Sequence, residues 1–155
     1  MSRAFVKEPE GGDVFDDLPD RPVSPHPNLV TAEGLAQIEA ELSRLQREHA
    51  AAQAAGDRGA LAKAAREARY WNARRASAQV IAPPTDAARV QFGSRVTVAR
   101  ADGRRHTYRI VGEDEAEPSR GTLSHVSPLA RALFGRQVGE VVEAAGSEAE
   151  VVGIE

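Results

Sequence analysis

Residues 31–81 read TAEGLAQIEAELSRLQREHAAAQAAGDRGALAKAAREARYWNARRASAQVI, and this stretch decides the architecture. Leu35, Ile38, Leu42, Leu45, His49 and Ala52 recur at alternating steps of three and four, the spacing of a heptad seam. Thr31 precedes them as an N-cap whose hydroxyl accepts a first-turn amide, and Glu33 sits favourably against the helix dipole. Gly56-Asp57-Arg58-Gly59 interrupts the pattern with turn chemistry. Periodicity resumes through Leu61, Ala64, Ala68, Trp71, Arg75 and Ala78, and ends at Ile81 ahead of Pro83 and Pro84. Two helices of similar length joined by a four-residue turn form an antiparallel helical hairpin. Of the chain's 28 Ala, 16 lie in this stretch, which raises helix propensity and lets the helices approach closely. Leu gives way to Ala toward Gly56, so the tip is expected to be less stable than the base.

Beyond the two prolines the period changes from helical to two. Arg95–Arg100 alternates, Ala101-Asp102-Gly103-Arg104 carries the Asp-Gly hairpin signal, and Arg105–Val111 alternates again. A polar loop, GEDEAEPSRG, leads to a short strand over 122–126. Ser127 and Pro128 then cap and open a brief helix, LARALF, that Gly135 ends. Strands over 140–143 and 148–154 flank an Ala-Ala-Gly-Ser turn. The fold class is α+β: residues 31–81 form the hairpin with its tip at 56–59, and 82–155 form a small antiparallel sheet with one short helix.

Residues 1–30 hold five prolines and isolated apolar points at Phe5, Val14, Phe15 and Leu18. That composition cannot bury enough surface to offset chain entropy, so the segment reads as an extended or disordered acidic arm. Its aromatics could alternatively dock on the chain or on a partner. The 155 residues carry a formal net charge of -3, with 20 Lys+Arg against 23 Asp+Glu. Divided by segment, residues 1–30 have three bases and six acids (-3), 31–81 eight and six (+2), and 82–155 nine and eleven (-2). The arm therefore has charge complementary to the hairpin, which raises the hypothesis that it contacts the second helix or a partner. Absence of Cys excludes disulfides and thiol chemistry, and no apolar run is long enough for a membrane span. We read a cytoplasmic, monomeric protein with no membrane role.

The strings VQFGSRVTV, YRIVGEDEAEP and LSHVSPLARALFGRQVGEVV, in this order, resemble the bacterial Gre transcript cleavage and elongation factors (GreA/GreB), including the short-armed regulators of the Rnk type. The resemblance covers residues 31–155. It implies an FKBP-like C-terminal domain at the rim of the RNA polymerase secondary channel, with the coiled coil directed into the channel. It carries polymerase contact onto Ser127, Pro128 and Arg131, with Val126 where Asp or Asn often stands. Cleaving members bear an acidic pair at the tip, within G-D-(L/R)-x-E-N-A-(E/D)-Y, which holds a second Mg²⁺ beside the polymerase's own metal.

Here the tip reads GDRGALAKA. Asp57 matches the first acid, but Ala60, Leu61, Lys63 and Ala64 replace Glu, Asn, the next acid and Tyr. One carboxylate flanked by Arg58 and Lys63 makes a poor magnesium site. Thr31–Ala55 gives roughly 37 Å of helix at ~1.5 Å per residue, several turns short of a cleaving arm. The expectation is a regulator of transcription elongation that is not itself an enzyme, has no cofactor of its own, and meets nucleic acid only within the polymerase complex. Arg58, Lys63, Arg66 and Arg69 give its arm a basic face, which serves phosphate attraction or simple solvation.

Two alternatives stay open. One is a transcript cleavage factor in which Asp57, with Glu48, Glu67 or a polymerase acid, holds Mg²⁺ shared with the polymerase. The other is an FKBP-like prolyl isomerase or holdase, with Phe92, Tyr108 and Phe134 as pocket aromatics. His26, His49, His106 and His125 show no metal-ligand spacing, His49 being placed on the seam and His106 on the surface, and neither a phosphate loop nor a nucleophile elbow is present.

Overall fold

A computed structural model describes residues 18–155. Phe5, Val14 and Phe15 of the acidic arm lie outside the described residues. The chain divides into two compact units, one holding residues up to Ser24 with Ile38–Ala76, the other Pro25–Gln37 with Ser77–Glu155. No helix among the described residues is long and apolar enough to cross a membrane.

The helical unit is built from α1 (Ala32–Ala55) and α2 (Arg58–Ser77). Ile38, Leu42, Leu45 and Ala52 are buried as the seam requires. His49 is exposed, not on the seam, which leaves its ring nitrogens in water. On α2 the buried positions are Ala64, Tyr70 and Arg74, whereas Trp71 is half-buried and Arg75 exposed. The expected Trp71/Arg75 seam is therefore displaced by one residue. The cause lies outside the hairpin, because the segment Pro19-Asp20-Arg21 runs along α2 and covers Tyr70. The Arg21 guanidinium lies 3.8 Å from the Tyr70 ring centre, and Tyr70 meets Trp71 edge-on at 5.2 Å. Heptad counting assumes one neighbour for α2, and here there are two.

The sheet unit starts with a ribbon that the sequence pattern did not show. β1 (Leu29–Val30) pairs in parallel with β2 (Gln79–Val80), so α2 stops at Ser77 and not at Ile81. The Gln79 and Ile81 amides donate to the Asn28 and Val30 carbonyls at 2.8 and 2.9 Å. The main sheet has the order β5-β4-β3-β7-β6, from β3 (Arg95–Arg100), β4 (Arg105–Val111), β5 (Thr122–Ser124), β6 (Val141–Ala144) and β7 (Ser147–Ile154). The hairpin pairs are antiparallel as expected, but β5 runs parallel to β4, with Arg109 opposite Thr122. The loop 112–121, with its 3₁₀ turn at Pro118–Arg120, carries the chain back before β5 begins, so the sheet is mixed.

Period-two alternation sends Val96 and Val98 of β3 and Ala149 and Val151 of β7 to one face, where α3 (Pro128–Leu133) covers them with Ala130 and Leu133. Val90, Phe92, Ile110 and Val142 complete this core.

Candidate functional site

Three groups of residues carry the functional expectations, and each has its own geometry. At the hairpin tip, α1 ends in a Schellman motif. Gly56 takes φ +66°, its amide donates to Gln53 O at 3.2 Å, and the Asp57 amide donates to Ala52 O at 3.0 Å. Asp57 is at once the N-cap of α2. Its Oδ1 accepts from the Ala60 amide at 3.0 Å, and its carbonyl accepts from Leu61 N at 3.0 Å. One carboxylate oxygen thus belongs to the helix start.

The other acids named as possible metal partners are also engaged. Glu48 pairs with Arg44 at 2.5 Å, and Glu67 pairs with Arg21 at 3.0 Å. Among the described residues no group of three or more His, Asp or Glu side chains is arranged to hold a metal. The donors present do not fit Mg²⁺ held by this chain alone, because a hard cation wants several free carboxylate or carbonyl oxygens. Beside the tip lies an open groove of about 580 Å³, floored by Ala52, Ala55, Ala60 and Ala64 and edged by Lys63 and Glu67.

The basic face of α2 is half covered. Arg66 Nε donates to Pro19 O at 2.7 Å, and Arg69 Nε pairs with Asp20 Oδ1 at 2.6 Å. The hypothesised contact between the acidic arm and the second helix is therefore present for residues 19–21. Arg58 and Lys63 are exposed, with no hydrogen-bond or ion-pair partner among the described residues.

In the sheet unit, Ser127 is an N-cap with extended backbone, and its Oγ accepts from the Ala130 amide at 3.3 Å. Pro128 opens α3 and is exposed, and so is Arg131, whose guanidinium lies 3.5 Å from the His26 ring. Ala130 and Leu133 anchor the opposite side of the helix in the core. The result is a rigid short helix presenting Pro128 and Arg131 outward. Val138 and Val141, in the loop after α3 and on β6, are exposed apolar side chains that the sequence reading did not single out. Their signal was a Val at both strand-face parities of β6.

The residues 85–155 that form this surface match the family described as "Transcription elongation factor, GreA/GreB, C-term". Beyond the sheet unit, a GreB transcription elongation factor of Xanthomonas axonopodis pv. citri is 38% identical over 136 residues, covering 75% of this chain and 81% of that one. This chain belongs to the GreA/GreB family. A GreA of Desulfovibrio desulfuricans is 38% identical over 121 residues, covering 77% and 71% of the two chains. A solved structure, that of GreA factor homolog 1 of Thermus thermophilus, matches 84% of this chain and 99% of its own, at 23% identity and a TM-score of 0.41. As a GreA/GreB member the chain is a transcription elongation factor by family, and the single acid of its tip, Asp57, is a helix cap.

One further contact recurs to a family string, YRIVGEDEAEP. Glu115 accepts from the Thr31 amide at 2.9 Å, from the Thr31 hydroxyl, and from the Gly112 amide at 3.3 Å. Thr31 in turn caps α1 by accepting from Gly34 N at 3.0 Å. A Cβ at Gly34 would lie 2.0 Å from Glu115 Oε2, so glycine is the residue that leaves room for this carboxylate. The loop glutamate thereby fixes where α1 begins.

Proposed function

We propose that this protein regulates transcription elongation by binding RNA polymerase through the sheet unit, with Ser127, Pro128 and Arg131 at the contact, and by directing its short hairpin toward the secondary channel without stimulating RNA cleavage. The protein acts as a monomeric binding factor in the cytoplasm, not as an enzyme, and it touches nucleic acid only inside the complex. The observation that carries the non-cleaving reading is the use of the Asp57 carboxylate. It caps α2 on the Ala60 amide, while Glu48 and Glu67 are paired with arginines. Cleavage would need free oxygens at the tip to hold a second Mg²⁺ against the polymerase's metal. Ala60, standing where the family's Glu is expected, supplies none.

The isomerase reading finds little support in the sheet unit. Phe92 is buried edge-on against His125 at 5.6 Å, and the cleft of about 150 Å³ beside β3 and β7 is lined by Ala99, Arg100, Val141 and Glu150 without an aromatic.

The test combines binding and chemistry on the family's polymerase. Purified polymerase should retain the protein, and Pro128→Asp with Arg131→Glu should abolish retention while leaving the fold intact by circular dichroism. Backtracked complexes should show no shortened RNA above the polymerase's own rate. Shortening by the unchanged protein that Asp57→Ala removes would overturn the non-cleaving reading, and retention unaffected by the double replacement would overturn the binding surface.

A further inference from the structure

The main sheet ends on β6, and no strand among the described residues pairs with its outer side. Val151 N donates to Glu140 O at 2.9 Å, and the register sets Val142 opposite Ala149 and Ala144 opposite Ser147. Val142 and Ala144 therefore give their main-chain groups to β7, while Val141 and Glu143 direct theirs away from the sheet. The side chains at this edge are unusual in two ways. Val141, and Val138 just ahead of β6, are the most exposed large apolar side chains among the described residues, at 55% and 57%. Glu143 stands directly across from Glu148 in a non-hydrogen-bonded pair, where like charges are close and destabilising.

Glu150 lies on the same face, opposite Val141, and none of these three carboxylates has an ion-pair partner among the described residues. A cleft of about 150 Å³ opens there between Val141, Glu148 and Glu150. Arg100, the one base lining it, donates to the Ser147 hydroxyl at 3.4 Å and pairs with no carboxylate among the described residues. Three acids against one base leave the face negative beside an open main-chain edge. We propose that β6 takes up an extended segment of a partner protein as a sixth strand, a segment with Lys or Arg at alternate positions. Such a strand satisfies the outward N–H and C=O groups of Val141 and Glu143. Its basic side chains lay their methylene stems on Val141 and bring their charged ends to Glu143, Glu148 and Glu150. A second copy of β6 would add its own Glu143 to this acidic face, so the same charges oppose self-pairing. The inference rests on the sheet edge alone and not on the polymerase reading.

The probe is an end-capped octapeptide of alternating Lys and Val, titrated into the full chain. It should bind, and at saturation the Val141 and Glu143 amides should exchange with solvent about tenfold more slowly. Glu143→Lys removes the like-charge contact with Glu148, so this variant should keep its Tm and yet bind the peptide about tenfold more weakly. Val141→Pro deletes an outward donor that β7 does not use, and it should abolish binding. Of two peptides N-methylated on alternate residues, one on Lys and one on Val, one should fail and the other bind, since only one frame of amides faces β6. No binding, unslowed exchange on β6, equal binding by the two methylated peptides or undiminished binding by Glu143→Lys would overturn the proposal. So would a dimer of the unaltered protein that Val141→Pro dissolves, because the occupant would then be a second copy.

Discussion

Around the sheet, Val96, Val98, Ile110, Leu133 and Val151 are wholly withdrawn from water, whereas along the hairpin Ile38 and Leu45 at the base give way to Ala52 and Ala64 near Gly56. A buried Leu or Ile contributes about 2–3 kcal/mol of transfer free energy, and a methyl under ~1. The two regions therefore differ in how they hold together. The sheet unit rests on interlocked side chains, while the far half of the hairpin rests on helix propensity, two well-formed helix ends and the Arg21 contact on α2. Local opening should begin where apolar burial is thinnest, at the tip.

The largest effect that separates the two regions is expected from core truncation. Leu133→Ala, at a position with no exposure, should cost about 2–5 kcal/mol in chemical denaturation. Ala64→Gly in the hairpin should cost about 1 kcal/mol, chiefly through helix propensity. Equal losses would break the contrast between an interlocked core and a propensity-driven arm.

Next in size is the start of α1. Glu115→Ala leaves the Thr31 and Gly112 amides without their acceptor and should cost about 2–3 kcal/mol. Gly34→Ala should be similarly harmful alone, because its methyl displaces the carboxylate. In the Glu115→Ala background the same change should instead stabilise the protein by about 1 kcal/mol, as a helical Gly→Ala change normally does. Four denaturation curves give this cycle, and simple additivity would sink the steric coupling.

The smallest effect concerns Glu33, at the same helix start. Its carboxyl is held below the usual 4.5 chiefly by a backbone hydrogen bond within its own residue, then by Arg109, 3.7 Å away, and by Thr31. A lowered folded value stabilises the protein at neutral pH, and that contribution fades as pH falls below 4.5 through the folded value. Glu33→Gln should lower Tm slightly at pH 7, and the difference should shrink as pH falls below 4.5. A difference that persists in acid would mean that the side chain acts through packing.

Much of this was legible from the residues. The hairpin turn, the Thr31 cap, the Asp-Gly turn and the Ser127-Pro128 helix start are local devices whose geometry is dictated by neighbours within four residues. The alternation of β3 and of the first half of β7 was equally readable, whereas β4 grades from exposed at Arg105–Thr107 to buried at both Ile110 and Val111. Failures cluster where a distant segment intervenes. Arg75 was placed on the seam because α2 was given one neighbour, but Pro19-Asp20-Arg21 supplies a second, with Arg21 over Tyr70, and the buried residues are Tyr70 and Arg74. β5 was grouped with antiparallel strands because the loop before it gave no sign of direction. The Glu115 contact was missed within a plainly polar loop. Its signal was present in Gly34, an unfavourable residue inside the first helical turn, and in Gly112, just past the end of β4.

For the candidate site the division follows the same line. The sequence by itself determined that the tip GDRGALAKA has one acid, Asp57, since that is a matter of residue identity. Only the tertiary structure decided what each carboxylate does: Asp57 caps α2, Glu67 holds Arg21, and Glu115 fixes Thr31, the cap of α1, from 84 positions away. A carboxylate's role is set by the donors that face it, and those are supplied by whichever distant segments folding brings within hydrogen-bond reach.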